Sequence, residues 1–594
     1  MTLRFVLRAS ILAVVLASAV PAAAAAAEKT KKFSLHAMTS VDSPLDTGIS
    51  AKRVVSFTCS GTIPVNQGCT DRDASPDGQQ GRIPVRGGTV VLYRSGTGPW
   101  KSISGGANKV TGNGTLQLAI NDCCVEDNGS GAFTIQVVSK VDPKPGAEID
   151  WTMPTRLSSR GWSLNEGLAI NDVYPKDGWR ANLFLLRDDK VIACSSKERW
   201  RWVVDPPGKA RVLSRPRPGC KASMRVDRLD TYTVEAIRQK RKGGKWVDGK
   251  TKNDRTKRRV VVRDWLFTAF GDSNGSGEGN PPFEFERCNR SSVSHQWQVA
   301  ESVERIDPRT SVTMLFASCS GAVIRHLTRF DYDGIRSGDG LLLPQIRQVA
   351  RHIVRPTDKV PDRTVDAAIV SAGVNDLGFG SLISYCVFND VGDNYPCEEQ
   401  RVVRTARADG GTAGYNAQEN GERLRDHTAQ LVSELPAAYL ELAGVLRRKL
   451  NLGASSSSLG LGVVPRRVFA THYPEFTTGT DGTTCKGRYG LAQWGESTWQ
   501  WLALTGQQLN NAVSSAGGLH GWTAVTIPGA AYSGHGYCAA DSWFKGILES
   551  IQRRNPDGPF HPDARAHAVA AGFTRLAVCN ELYGTADCKG LAKE

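Results

Sequence analysis

Leu266-Phe267-Thr268-Ala269-Phe270-Gly271-Asp272-Ser273-Asn274-Gly275 is an apolar run that stops on a glycine-rich turn carrying one serine. A run this short and this apolar reads as a strand buried on both faces. Working outward, further apolar runs lie at residues 312–317, 366–371, 467–471 and 523–528. Residues 421–450 read as a helix, with Leu431, Leu435, Tyr439, Leu442 and Leu446 at a 3- or 4-residue spacing. Strands alternating with helices imply a parallel sheet covered on both faces. Ligands of such sheets bind beyond the carboxyl ends of the strands. A serine on that turn has its hydroxyl there, beside the N–H groups that open the next helix and can stabilise an oxyanion. Taken alone, Ser273 could equally be a helix cap.

Three more segments fall at corresponding places. Ser318-Cys319-Ser320-Gly321-Ala322 follows the second apolar run and Gly373-Val374-Asn375-Asp376 follows the third. Asp557-Gly558-Pro559-Phe560-His561-Pro562-Asp563 stands near the C-terminus, before a short helical pattern. These four ordered blocks closely resemble the SGNH, or GDSL, hydrolase superfamily. The strings at residues 271–281 (GDSNGSGEGNP), 288–292 and 316–322 resemble its secreted bacterial lipase and esterase branch. The resemblance spans about residues 264–578 and implies a three-layer α/β, flavodoxin-like domain with serine ester hydrolase activity.

Carried over position by position, the resemblance implies Ser273 as nucleophile and His561 as general base. The oxyanion hole would be the Ser273 N–H, the Gly321 N–H and the Asn375 side-chain amide, donors aimed where carbonyl charge develops. Relatives often carry an Asp three residues before the His, where this chain has Gly558. Asp557, one step farther away, is the expected third member. A main-chain carbonyl and Asp541 remain as alternatives, and His567 reads as an ordinary helix residue. Gly271-x-Ser273-x-Gly275 also fits the nucleophile elbow of α/β-hydrolases. That fold needs α/β strands upstream, and the upstream region has a different texture.

Residues 28–264 read as β structure, with short β-branched runs at residues 53–58, 89–94 and 133–138 separated by Gly, Asn, Asp and Pro clusters. The expectation is a β-sandwich over residues 28–150 and an Ig-like or PKD-like β module over residues 151–264, with the hydrolase domain from 265 to 594. Leu118-Ala119-Ile120-Asn121-Asp122 recurs as Leu168-Ala169-Ile170-Asn171-Asp172, a weak internal repeat. Asp122, Glu126, Asp127 and Asn128 cluster after one strand and read as polar turn residues, with calcium or sugar hydroxyls as the rival reading. Residues 238–263 hold twelve Lys/Arg against Asp248 and Asp254, a net +10 in a chain of net +15. This basic hairpin reads as a solvated edge or as a tether to an anionic envelope. Nucleic acid is not expected, because no recognised motif or aromatic platform accompanies the charge.

Composition closes several routes. At 40% hydrophobic and 22% charged, the 594-residue chain is globular in type. Its one long apolar run is N-terminal, with Arg4 and Arg8 before it and small residues after it. Residues 1–27 therefore read as a secretory signal peptide, leaving no stable transmembrane segment after processing. Fourteen cysteines fit an exported, disulfide-bonded protein. There is no C-x-x-C pair and no His at ligand spacing, so neither zinc nor another cofactor is expected. Sequence proximity pairs Cys194 with Cys220, Cys288 with Cys319, Cys386 with Cys397, Cys485 with Cys538 and Cys579 with Cys588. Cys123 and Cys124 would pair with Cys59 and Cys69, since a bridge between adjacent cysteines is strained. The expected substrate is an ester of a lipid, a short-chain acid or an acetylated polysaccharide. An inactive adhesion protein is the alternative.

Overall fold

The computed structural model describes residues 147–157, 172–187, 190–335, 340–353, 363–389, 395–406, 412–448 and 461–588, together with the backbone of seven strands between Glu28 and Lys140. The signal peptide, the acidic turn, the second copy of the repeat as far as Asn171, and the bridges of Cys59, Cys69, Cys123 and Cys124 lie outside the described residues. The chain divides into two compact units, of which the second takes in Glu148–Leu186 and Lys190–Glu594.

In the first unit, the strands include Val54–Ser60, Val90–Ser95 and Ala132–Lys140, where β-branched residues had pointed to them. They belong to two antiparallel sheets.

The second unit opens with antiparallel sheets. Glu148–Thr152, Trp179–Arg187, Lys221–Val226 and Val212–Ser214 belong to one sheet, and Glu198–Asp205, Thr231–Lys242, Lys245–Asp248 and Arg255–Val261 to the other. Alternate residues of Thr231–Lys242 are buried, including Tyr232, Val234 and Ala236, as a strand with one covered face requires. Tyr232 donates its hydroxyl to Arg228 O at 2.9 Å, a corner of the kind that recurs in β-sandwich domains. Cys194–Cys220 ties the two ends of this region's central stretch.

The basic hairpin is less free than its composition implied. Arg238 pairs with Glu198 at 2.6 Å, and Arg255 with Glu235 at 3.3 Å. Arg258 donates to Ile149 O at 2.5 Å and lies over the Trp151 ring. The exposed remainder includes Lys240, Arg241, Lys242, Lys257 and Arg259.

Next comes the parallel sheet. Its strands are Arg263–Gly271, Thr310–Phe316, Ala367–Ser371, Val468–Thr471 and Thr523–Val525. Numbered along the chain, their order across the sheet is 2-1-3-4-5, the flavodoxin-like order. Period-2 alternation sends neighbouring side chains into two cores. Leu266 and Phe270 meet the helices Gln345–Ile353, Leu424–Arg447 and Glu496–His520 on one face. Trp265, Phe267 and Ala269 meet His295–Ile306 and Ala564–Tyr583 on the other. Leu431, Leu435, Tyr439, Leu442 and Leu446 are all buried, so their spacing marks the helix's inner stripe.

Asp264 anchors the antiparallel region to this sheet. Its carboxylate takes Arg363 at 2.7 Å, Arg156 at 3.1 Å, and the hydroxyls of Ser311 and Thr313 at 2.5 Å each. Burial alone would push this acid up; the Arg156 and Arg363 charges and the two hydroxyls hold it below the usual carboxylate range. The five expected bridges among the described cysteines are all formed.

Candidate active site

The 2-1-3 part of the strand order creates a crevice where connections diverge, and the serine turn ends strand 1 there. Gly271 must be glycine: its φ is +145°, and a Cβ would lie 1.9 Å from Ser371 O on strand 3. Its N–H and C=O are both taken by the Gln345 side chain, at 2.8 and 2.7 Å. Asp272 caps the four-residue helix Ser273–Ser276 by accepting from the Asn274 N–H at 3.1 Å. Ser273 is thus the first helical residue, where a backbone N–H has no intrahelical acceptor.

The structure brings the loops after strands 2 and 3 together. Asn375 donates from Nδ2 to Ala322 O at 3.1 Å, which leaves its second amide hydrogen uncommitted to that bond. Among the described residues, neither the Ser273 N–H nor the Gly321 N–H donates to a protein acceptor. Ser273 and His561 line a single cleft, with an empty volume of ≈ 840 Å³ including its open mouth. Its walls are mainly apolar, among them Val374, Leu377, Leu382, Phe476, Leu502 and Leu509. Several of the other polar groups that line it are paired within the protein. Asn510 exchanges both amide functions with the Tyr473 backbone, and Glu475 accepts from Thr477 N. Among the described residues, no hydrogen bond joins Ser273 Oγ to His561; such bonds often tighten only once substrate is bound.

His561 is held by backbone on both sides. Lys545 N donates to His561 O at 2.9 Å and Phe560 N to Lys545 O at 2.8 Å. Phe560 has φ +65°, a conformation rarely held by a side-chain-bearing residue unless packing enforces it. Its ring is stacked on Tyr537 and Trp494, with centroids at 4.4 and 5.2 Å.

At the third position, His561 Nδ1 lies 3.1 Å from Pro559 O, the main-chain carbonyl that stood as the alternative to Asp557. The reason is local: the turn folds Pro559 back under the ring, two residues away, within reach of the imidazole. Asp541 is committed to Arg565 at 2.6 Å. His567 lies buried on the final helix, stacked on His295 with centroids 5.8 Å apart. Burial holds His567 well below the ordinary histidine range and pulls His295 down to about 4, so both are neutral.

Two acids, the buried Asp272 next to Ser273 and the half-buried Asp376 next to Asn375, carried no charge-state signal in the sequence. Burial pushes Asp272 up to about 7, against the opposing hydrogen bonds from Tyr473 and from backbone N–H groups. Asp376 is likewise pushed up to about 7 by burial, with the charge of Asp272 adding to it. In the protonated form, which these shifts favour, neither opposes negative charge developing at the strand ends. Glu278 and Arg290 acquire partners at the Gly321 loop only through folding: Glu278 accepts from Ser320 Oγ, and Arg290 donates to Ala317 O and Ser318 O.

No family model matches the chain, and no curated protein matches it. Solved structures similar to it include an extracellular lipase from Streptomyces rimosus, 16% identical, covering 52% of this chain and 96% of that one at a TM-score of 0.33. A phospholipase A1 from Streptomyces albidoflavus NA297 is also 16% identical, covering 52% and 95% at 0.31. An acetylxylan esterase from Geobacillus stearothermophilus is 12% identical, covering 54% and 96% at 0.23. Likeness at this level assigns no activity to this chain; only its own site can.

Proposed function

We propose that this chain is an exported SGNH-type serine ester hydrolase that cleaves carboxylesters of an apolar acyl chain. The observation that carries the reading is Ser273 and His561 lining one apolar cleft, with the Ser273 N–H left without an acceptor among the described residues at the start of its helix. Ser273 Oγ attacks the ester carbonyl while His561 Nε2 accepts its proton. The resulting oxyanion is met by the Ser273 and Gly321 N–H groups and the free hydrogen of the Asn375 amide. Collapse expels the alcohol, which takes its proton from His561. A water activated by the same histidine then releases the acid and restores Ser273.

The cleft favours a hydrocarbon acyl group over acetate. Most of its wall is apolar and the Asn510 amide is paired with the Tyr473 backbone, so a chain entering it displaces water without stranding that donor. Five disulfides support an oxidising destination. Among the described residues, no helix is long and apolar enough to cross a membrane. The test is a chain-length series of p-nitrophenyl esters run beside acetylated xylan, with Ser273→Ala as control. Turnover rising with acyl length supports the proposal. Cleavage of acetyl groups alone overturns the acyl assignment, and no turnover on any ester overturns the enzyme.

A further inference from the structure

Peptide planarity couples the two ends of the Ser320–Gly321 amide. Its C=O and N–H point in opposite directions, so whatever fixes Ser320 O also fixes the aim of the Gly321 N–H. Tyr332 donates its hydroxyl to Ser320 O at 2.8 Å. Gly321 has φ +78°, and a Cβ there would lie 2.4 Å from that same hydroxyl. The glycine is therefore matched to the tyrosine as well as to its own backbone angle. Tyr332 is buried, stacked on His326 at 4.3 Å, and its backbone exchanges two 2.8 Å hydrogen bonds with Leu342.

The Ser320 side of the amide is held as firmly. Ser320 Oγ donates to Glu278 Oε2 at 2.7 Å, and Asn289 Nδ2 donates to the same oxygen at 2.6 Å. Ser320 N donates to Cys288 O at 3.1 Å, next to the Cys288–Cys319 bridge. Arg290, fully buried, donates to Ala317 O at 3.1 Å and Ser318 O at 2.7 Å, just before the loop.

We propose that Tyr332 is a positioning residue of the oxyanion hole, acting on the Gly321 N–H through the carbonyl of the same peptide, with Glu278 holding Ser320 from the other side. The inference rests on the proposed hydrolase reading and adds the part that aims its donor. A hydrogen bond to the carbonyl also polarises the amide and strengthens its N–H as a donor. Tyr332 donates its hydroxyl to Ser320 O rather than to a reacting group, so its effect should appear where oxyanion charge is stabilised.

Tyr332→Phe removes the hydroxyl and keeps the ring. The expected result is a kcat lower by about tenfold with KM and Tm nearly unchanged, short of the 10²–10³ that losing an oxyanion donor outright costs. Affinity for an alkyl trifluoromethyl ketone, whose serine adduct places an oxyanion in the hole, should fall by the same factor. Ser320→Ala cuts the Glu278 link and should act in the same direction, which gives a second reading if Tyr332→Phe fails to fold. Wild-type kcat in the folded variants, a change in KM alone, or an unchanged ketone affinity would overturn the proposal. Ser273→Ala separates the two levels. Turnover surviving in it sinks the hydrolase reading and this inference together, whereas a dead Ser273→Ala beside a normal Tyr332→Phe sinks the inference alone.

Discussion

Pro559 O lies 3.1 Å from His561 Nδ1, across a turn of two residues. A carbonyl only accepts, so Nδ1 carries the proton in this pair and Nε2 is left as the basic nitrogen. That is the tautomer the proposed general base would need. The carbonyl supplies orientation but only a partial charge to stabilise the imidazolium.

Asp557→Asn should therefore lower kcat by less than about tenfold, where removing the carboxylate of a full triad costs roughly 10⁴. His561→Ala should remove all measurable turnover. Steady-state kinetics on a soluble ester check both, and a loss of several hundredfold in Asp557→Asn would restore the carboxylate to the mechanism.

A serine-directed phosphonate should label Ser273 alone. Ser276 donates its hydroxyl to Ser273 O at 3.1 Å and Ser320 donates its own to Glu278, so both neighbouring hydroxyls are committed. Peptide mass mapping of the labelled protein reads the outcome; label on Ser276 or Ser320 contradicts the assignment.

Gly506 lines the cleft on the long helix Glu496–His520, and a Cβ there meets nothing within 4 Å. Gly506→Leu should fill acyl space without straining the backbone. We expect turnover of long-chain esters to fall by more than tenfold while acetyl esters hold. Replacing an interior helical glycine should also raise stability, by up to about 1 kcal/mol. An unchanged chain-length profile would place the acyl chain elsewhere.

Asp272 and Asp376 make a signed pH prediction. Asp272 is raised from 3.8 to about 7 on folding, so between about pH 4 and 7 the folded state holds a proton that the unfolded state has lost. Stability from this group is therefore greatest below pH 4 and declines as pH climbs to about 7. Asp376 adds a decline of the same sign. Asp272→Asn should flatten the fall in Tm over that window, measured by thermal unfolding in a buffer series; a wild-type slope would contradict it.

Lys240, Arg241, Lys242, Lys257 and Arg259 are the exposed cations on which an envelope tether would depend. Their replacement by Gln should weaken sedimentation with anionic vesicles, most visibly at low salt, and leave ester turnover unchanged. Arg258→Gln should instead lower Tm, because Arg258 is bonded to Ile149 O and packed on Trp151. Equal vesicle binding by the fivefold variant would discard the tether.

How much was legible in the sequence depended on how local each cause was. Strands and helix faces follow from periodicity, because burying one face is a requirement that each element meets in its own residues. Leu431 through Leu446 and the apolar run before Gly271 could be read for that reason. Bridges between cysteines near in sequence could be read too. The roles expected of Ser273, Gly321, Asn375 and His561 rested only on a resemblance, since nothing in a lone Gly-Val-Asn-Asp says which loop it will meet.

Other features were settled only by the fold. Which acceptor meets His561 depended on how a Pro-bearing turn curls, which composition does not encode. Asp272 is raised because tertiary packing removes water from it, and Arg258 is unavailable to a membrane because a strand from over a hundred residues away runs beneath it. Tyr332 and Glu278 gained a role when distant loops closed around one peptide plane. The sequence by itself determined the elements, their order and their apolar faces, because those answer to short-range sterics and to the hydrophobic effect. Only the tertiary structure decided the hydrogen-bond partners and the charge states, because both depend on solvent exclusion and on contacts between residues far apart in the chain.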